Sequence, residues 1–280
     1  MRWFGLTMAL MALPVHASAK DLVVTTLPFQ DQAAQDAVFQ ILSDELTRAL
    51  GERVRFEAGR SYQEVIEKLT TRRTDVAFLG GLAYLEARRR GNARAILRTV
   101  RGGRGGYRGV LIVARGSTVE TVDGLRKVDS IGFVDRYSTT GYAFPARLLS
   151  EAGVELRQRG RFLGSHQAVI QAVTERKIGA GAVFEAALEM LDDPGAVRVL
   201  AETEVVPGDP IVVRPGLGRK RVQALRSALM ELATRPDARA FFEFAGIDSL
   251  VPVTDSDYDQ FARRVQDLRM HDMEHPSRSP

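Results

Sequence analysis

The sequence predicts an α/β protein of two lobes, each a mainly parallel sheet flanked by helices, with two strand-like hinge crossings joining them. Three observations lead there. Short β-branched apolar runs alternate with amphipathic helical segments along most of the chain, the βαβ pattern of a parallel sheet covered by helices. The alternation falls into two series, separated by the glycine-rich stretch 102–109. A late strand, Ile211-Val212-Val213, follows the turn-forming Pro207-Gly208-Asp209-Pro210 and offers a second crossing back to the first series. Two units of roughly a hundred residues each fit the usual size of a domain, and a cleft between lobes is a favoured place for a ligand.

The elements follow in order. Leu22-Val23-Val24-Thr25-Thr26 is β-branched almost throughout and reads as a strand. A helix over 32–50 follows, because Ala34, Val38, Ile41, Leu42, Leu46 and Ala49 recur at the helical period. After a strand over 54–57, Ser61-Tyr62-Gln63-Glu64 reads as a capping box that opens a helix to about residue 72. Residues 75–79 form a buried-type strand, Gly80-Gly81 turns the chain into a short helix through 89, and 96–100 return as strand. The second series has strands over 110–114, 130–134, 180–184 and 197–200, with helices over 142–152, 167–174 and 186–191. Pro145 lies too deep for the first turn of a helix capped at Ser138, so an irregular first turn is expected there. From residue 220 the chain is expected to be helical, on the stripe Val222, Leu225, Leu229, Leu232 and Ala233. The polar, proline-containing tail 271–280 is expected to be disordered. These expectations put 20–110 and 211–270 in lobe 1 and 111–210 in lobe 2.

The N-terminus points to export. Met1 and Arg2 precede a nearly all-apolar run from Trp3 to Leu13; Pro14 breaks it, and Ala17-Ser18-Ala19 has the small-x-small form of a cleavage site. Residues 1–19 therefore read as a signal peptide cleaved near Ala19, too short for a stable membrane span, and the mature chain is expected in the periplasm. The chain contains no cysteine, which excludes thiol chemistry, Cys-based metal sites and a lipid-modified cysteine. Its formal charge is +4, or +3 once Arg2 is removed. Arg88-Arg89-Arg90 and the arginines between 101 and 108 form clusters, but they lie beside acidic residues or among glycines, without interleaved aromatics. Nucleic acid is therefore not an expected partner, whereas a general attraction for anions is.

The most informative motif is Tyr137-Ser138-Thr139-Thr140-Gly141-Tyr142. It lies between a strand and a helix, which puts three consecutive hydroxyls at a helix N-terminus, where backbone N–H groups lack partners and the macrodipole is positive. Such a place either carries an ordinary N-cap or binds a phosphate-like anion.

Taken together, several ordered motifs resemble the phosphate/phosphite/phosphonate-binding proteins of ABC importers, type 2 periplasmic binding proteins. These are Ser61-Tyr62-Gln63-Glu64-Val65-Ile66, Gly106-Tyr107 before Val110-Leu111-Ile112-Val113, and Ser138 to Tyr142 with Pro145. Gly164-Ser165-His166 before Ala168-Val169 continues the series, and Pro207-Gly208-Asp209-Pro210-Ile211-Val212-Val213-Arg214 ends it. The resemblance runs from about Asp21 to Val251 and implies a monomeric receptor for a small phosphorus oxyanion, serving an ABC permease or, alternatively, a sensor kinase, with no cofactor. It implies that Ser138, Thr139 and Thr140 hold the phosphoryl oxygens, with His166 donating from the same lobe. Tyr62 and Tyr107 would reach in from the other lobe or the hinge, and Asp209 would accept a proton from a ligand oxygen or amine. Each also has a plainer reading: a cap for His166, half-buried packing for the tyrosines, a turn for Asp209. Gly80-Gly81 departs from the family's frequent Gly-Pro. Whether Glu185 or Ala186 stands where aminophosphonate binders carry an acidic or polar residue is left open.

Catalysis is the rival from another class, with Ser138, His166 and Asp209 as nucleophile, base and orienter. No Gly-x-Ser-x-Gly elbow is present, and His166 is the one histidine outside the leader and the tail. The chain is accordingly expected not to be an enzyme.

Overall fold

The structure of the protein, a computed structural model, describes residues 21–28, 32–191 and 193–274. The leader expected over 1–19 lies outside the described residues. The first series runs β1 (Leu22–Thr26), α1 (Gln32–Leu50), β2 (Val54–Ala58), α2 (Tyr62–Thr70), β3 (Val76–Phe78), α3 (Gly81–Gly91) and β4 (Arg94–Val100). A short β5 (Gly106–Tyr107) and β6 (Gly109–Ala114) lead into β7 (Ile131–Phe133), α4 (Phe144–Glu151), β8 (Gly160–Phe162), α5 (His166–Thr174), β9 (Ala180–Phe184) and β10 (Val197–Glu202). The chain returns through β11 (Val206–Pro207) and β12 (Pro210–Val213) to α6 (Arg219–Leu232), α7 (Arg239–Phe244), β13 (Ser249–Pro252) and α8 (Asp259–Glu274).

The strands form one sheet in the order β13-β4-β12-β3-β1-β2 and another in the order β10-β6-β9-β7-β8. β1 lies between parallel neighbours β2 and β3 and is buried along its whole length, which is why its sequence shows no polar alternation. Both sheets are nevertheless mixed. β12 lies antiparallel between β3 and β4, and β6 antiparallel between β10 and β9. These are the strands the crossings deliver. Each enters its sheet from the other lobe rather than through a helix packed on its own sheet, so the crossover rule that makes neighbours parallel does not bind it. The crossings pair with each other in a two-stranded antiparallel ribbon, β5 with β11, that sets Tyr107 opposite Val206 and Gly106 opposite Pro207.

Several elements differ from expectation, among them β8, a strand where none was expected. The segment expected as a helix over 186–191 is a 3₁₀ run, Glu185–Met190. Within the stretch expected to be helical, β13 is an edge strand on β4. Gly246, in the left-handed region at φ 59°, stops α7, and four residues ending at a proline are too short for a strand period to show. The last helix continues to Glu274, past the point where the tail was expected to lose order. One buried cluster joins the lobes: it extends from Val65, Ile66 and Leu69 of α2, by Tyr107 of the ribbon, to Val169 and Val173 of α5.

Candidate ligand-binding cleft

The N-termini of α2, α3 and α5 and the turn that precedes α4 face the space between the two sheets, with the carboxyl ends of β1, β3, β4 and β9 around them. This is where open α/β sheets hold ligands. The resulting cavity has a volume of about 780 Å³. Tyr62, Tyr107, Ser138, Thr139, Thr140, His166 and Asp209, the residues singled out from the sequence, all line it.

The hydroxyl triplet is held by an irregular turn. Ser138 is extended (φ −82°, ψ 125°) and its Oγ accepts the Gly141 N–H at 3.0 Å. Thr139–Ala143 then form a π-helical turn, with the Ala143 N–H donating to the Ser138 carbonyl at 3.0 Å. The expected irregular turn is thus present, and α4 begins only after it. Pro145 brings no N–H to this turn, and the Gly141 carbonyl accepts the N–H of Val134, just past β7, at 3.0 Å. Gly141 must be glycine, since a Cβ there would lie 2.3 Å from Val134 Cγ2 and 2.7 Å from Ser138 Oγ. Ser138, Thr139 and Thr140 are all buried, and backbone N–H donors orient the first two hydroxyls before a ligand arrives. Thr139 Oγ1 accepts the Leu82 N–H at the start of α3 at 2.9 Å, which leaves its own O–H to donate. Tyr62 lines the same cavity as Ser138, and burial raises its pKa above the ordinary tyrosine value.

Asp209 is more engaged than its turn sequence suggests. Its Oδ1 accepts the Tyr107 hydroxyl at 2.6 Å, and its Oδ2 lies 3.5 Å from Arg101 Nη2. Its backbone N–H donates to Thr99 Oγ1 at 3.0 Å. Burial raises the Asp209 pKa, with Arg101 and Tyr107 opposing; burial and the adjacent carboxylate push Tyr107 well above the usual phenol value. Like Arg104, Arg101 is a cleft residue the sequence reading missed. Its side chain is 17% exposed and lines the cavity. Its Nη1 donates to the Gly246 carbonyl at 2.7 Å and to that of Ala245. The available signal was an arginine at the end of a strand, just before the crossing that carries Tyr107; among so many arginines it read as a solvated charge.

His166 opens α5 behind the Ser165 cap. Its Nδ1 accepts the Phe184 N–H at 3.3 Å, so the proton of the neutral ring sits on Nε2. The ring meets Phe184 edge-on, at 4.7 Å between centroids. Burial first, and then the Arg101 charge, lower its pKa to about 3, so at neutral pH it is an uncharged N–H donor. Because the unfolded chain protonates first, near 6.5, this residue stabilises the fold above that value, and the contribution is lost as pH falls toward 3. Thermal stability of His166→Gln should therefore decline less than wild type between pH 7 and 4; parallel melting curves would count against this environment for the ring.

Tyr84 belongs elsewhere. Tyr84 is fully buried, donates to Asp255 Oδ1 at 2.6 Å and packs edge-on against Tyr258. His275 lies outside the described residues. Glu185 does reach the cavity wall and pairs across the cleft with Arg104 at 3.5 Å. Arg90 of α3 makes another contact between the lobes, with Nη2 2.7 Å from the Tyr137 hydroxyl.

Residues 24–258 match the family described as ABC transporter, phosphonate, periplasmic substrate-binding protein. A probable ABC transporter phosphite-binding protein of Prochlorococcus marinus is 27% identical over 188 residues, which is 64% of this chain and 63% of that protein. A phosphate-import protein of Mycolicibacterium smegmatis is 25% identical over 270 residues, 85% of this chain and 83% of that one. Thus the match spans less than two thirds of the first relative's length and most of the second's. The crystal structure of a Prochlorococcus marinus protein in complex with methylphosphonate superposes with a TM-score of 0.79 at 22% identity, covering 89% of this chain and 98% of that one.

Proposed function

Because the chain belongs to the periplasmic substrate-binding proteins of ABC phosphonate transporters, we propose that its cleft captures a phosphorus oxyanion (phosphate, phosphite or a phosphonate). The loaded receptor delivers this cargo to an inner-membrane ABC permease. The observation that carries the reading is the convergence of uncharged donors on one cavity: the Ser138, Thr139 and Thr140 hydroxyls, the N–H groups of helix starts, and the Nε2–H of neutral His166. A dehydrated oxyanion needs a donor for every oxygen, since an unsatisfied buried charge is costly. Uncharged donors meet that need without the attraction that would make release slow. The relatives named for phosphite and phosphate and the methylphosphonate complex support the same ligand class.

In this reading Ser138, Thr139 and Thr140 hold the phosphoryl oxygens, His166 donates from the same lobe, and Tyr62 closes from the other. Both Asp209 oxygens face protein donors, so Asp209 acts through Tyr107 and Arg101, which it orients, as much as on the ligand itself. The lobes are 20–110 with 211–270, and 111–210; they close about the β5–β11 ribbon when ligand bridges them. The mature receptor is monomeric, needs no cofactor and reaches the periplasm through a leader cleaved near Ala19.

Calorimetric titration of refolded, ligand-free protein with phosphate, phosphite and methylphosphonate tests this. Saturable one-to-one binding of at least one is expected, and silence from all would sink the reading. Gly80→Val sharpens the test. Gly80 has an ordinary extended backbone (φ −70°, ψ 159°), and a Cβ there would sit 3.8 Å from Asp209 Oδ1 and 3.9 Å from Thr139 Oγ1. The valine fits the backbone but fills the cleft, so the variant should fold normally and bind weakly; wild-type affinity would place the ligand elsewhere.

A further inference from the structure

Two carboxylates face the cleft from opposite sides, and one loop answers both. Arg101-Gly102-Gly103-Arg104 leaves the end of β4, bends through glycines in the left-handed region (φ 55° and 67°), and is closed by mutual hydrogen bonds between the Arg101 and Arg104 backbones. The bend sends its two guanidinium groups to different partners. Arg101 reaches Asp209, which the second crossing sets against Thr99 of β4, at 3.5 Å, and Arg104 reaches Glu185 at 3.5 Å across the cleft. Asp209 and Glu185 are each 26% exposed, and all four residues line the cavity. The loop is tied down further by the Gly103 N–H donating to Asp248 at 2.8 Å and by Arg101 donating to the Gly246 carbonyl at 2.7 Å.

We propose that this loop is the specificity element of the cleft: its two arginines occupy Asp209 and Glu185, so the site takes phosphorus oxyanions that carry no ammonium group. The inference rests on reading the cleft as a phosphorus-oxyanion site. A guanidinium remains charged at any physiological pH. An ammonium entering beside either carboxylate must therefore displace an arginine or lie next to one, with like-charge repulsion. The remaining carboxylates on the wall offer no substitute. Glu189, Glu243 and Asp248 are exposed to solvent, Glu243 is paired with Arg239, and Asp248 accepts from Gly103. The same guanidinium groups add to the positive potential that draws an anion in.

The test compares two ligands of nearly identical shape, n-propylphosphonate and 2-aminoethylphosphonate, with phosphate and methylphosphonate alongside. Wild type should bind n-propylphosphonate tighter than 2-aminoethylphosphonate by about tenfold or more. Arg104→Ala removes a side chain that is 67% exposed, leaves the fold undisturbed and frees Glu185; it should narrow that ratio severalfold. Adding Glu185→Gln to Arg104→Ala should restore the discrimination. Equal or tighter binding of the amine by wild type overturns the inference and leaves the oxyanion reading intact. A ratio unmoved by Arg104→Ala overturns the role of the loop. If none of the four ligands binds, the oxyanion reading falls and the inference with it.

Discussion

Replacing Ser138 and Thr139 together by alanine should raise the dissociation constant for the bound oxyanion by about a hundredfold or more, with the fold retained. Each hydroxyl is held toward the cavity by a backbone N–H, Gly141 for Ser138 and Leu82 for Thr139. A hydrogen bond to a charged group is worth about 1.5–3 kcal/mol, so losing both reaches the hundredfold range at about 1.4 kcal/mol per decade. The cost in stability is smaller. Ser138 caps the turn that leads into α4, and losing a cap costs about 1 kcal/mol, a melting shift of roughly 2–4 °C for a chain of this size. Calorimetry with melting curves on the same samples separates the effects. Unchanged affinity in the double variant would move the oxyanion away from this turn.

The largest effect on stability should come from Gly208→Ala, a change of one methyl group in the second crossing. A Cβ at this position would lie 2.1 Å from the Thr99 carbonyl oxygen and 3.1 Å from Arg98 Cγ. The first obstacle is backbone and cannot rotate away. Moving it means moving Gly208, which is tied on both sides: its N–H donates to the Gly105 carbonyl at 3.0 Å, and its carbonyl accepts the Tyr258 hydroxyl at 2.8 Å. Overpacking of this kind costs about 3 kcal/mol, a fall of roughly 6–12 °C. Neighbouring Asp209 would shift as well, so ligand affinity should drop at temperatures where the variant is still folded. A melting point within a degree of wild type would mean that the ribbon can open without cost.

Much of this was legible along the chain because local rules act locally. Periodicity marked α1, β1 and α6, and the capping box announced α2: the Ser61 side chain does accept the Glu64 N–H at 3.1 Å. The position of Pro145 anticipated a broken first turn, since a residue without an N–H is tolerated in the first turn of a helix but not deeper. The candidate site was legible for a related reason. Hydroxyls, a histidine and tyrosines at element starts are chemically conspicuous, and helix starts converge where strands end. Features that depend on partners far along the chain were not legible. Nothing in Ser249-Leu250-Val251-Pro252 requires a strand until β4 presents an unpaired edge to it, and nothing in β6 or β12 states that each will be inserted antiparallel.

Arg101 shows most clearly where the division falls. By itself the sequence determined an α/β chain in two series, a hydroxyl-lined helix start, a single central histidine and a glycine-rich crossing, because propensity, capping and covalent geometry operate over a few residues. Only the tertiary structure decided which of the many arginines meets Asp209, that His166 presents Nε2–H and stays neutral, and that Glu185 is already paired. Charge pairing, burial and proton affinity are set by groups a hundred residues apart in sequence and a few ångströms apart in space, and those distances exist only once the chain has folded.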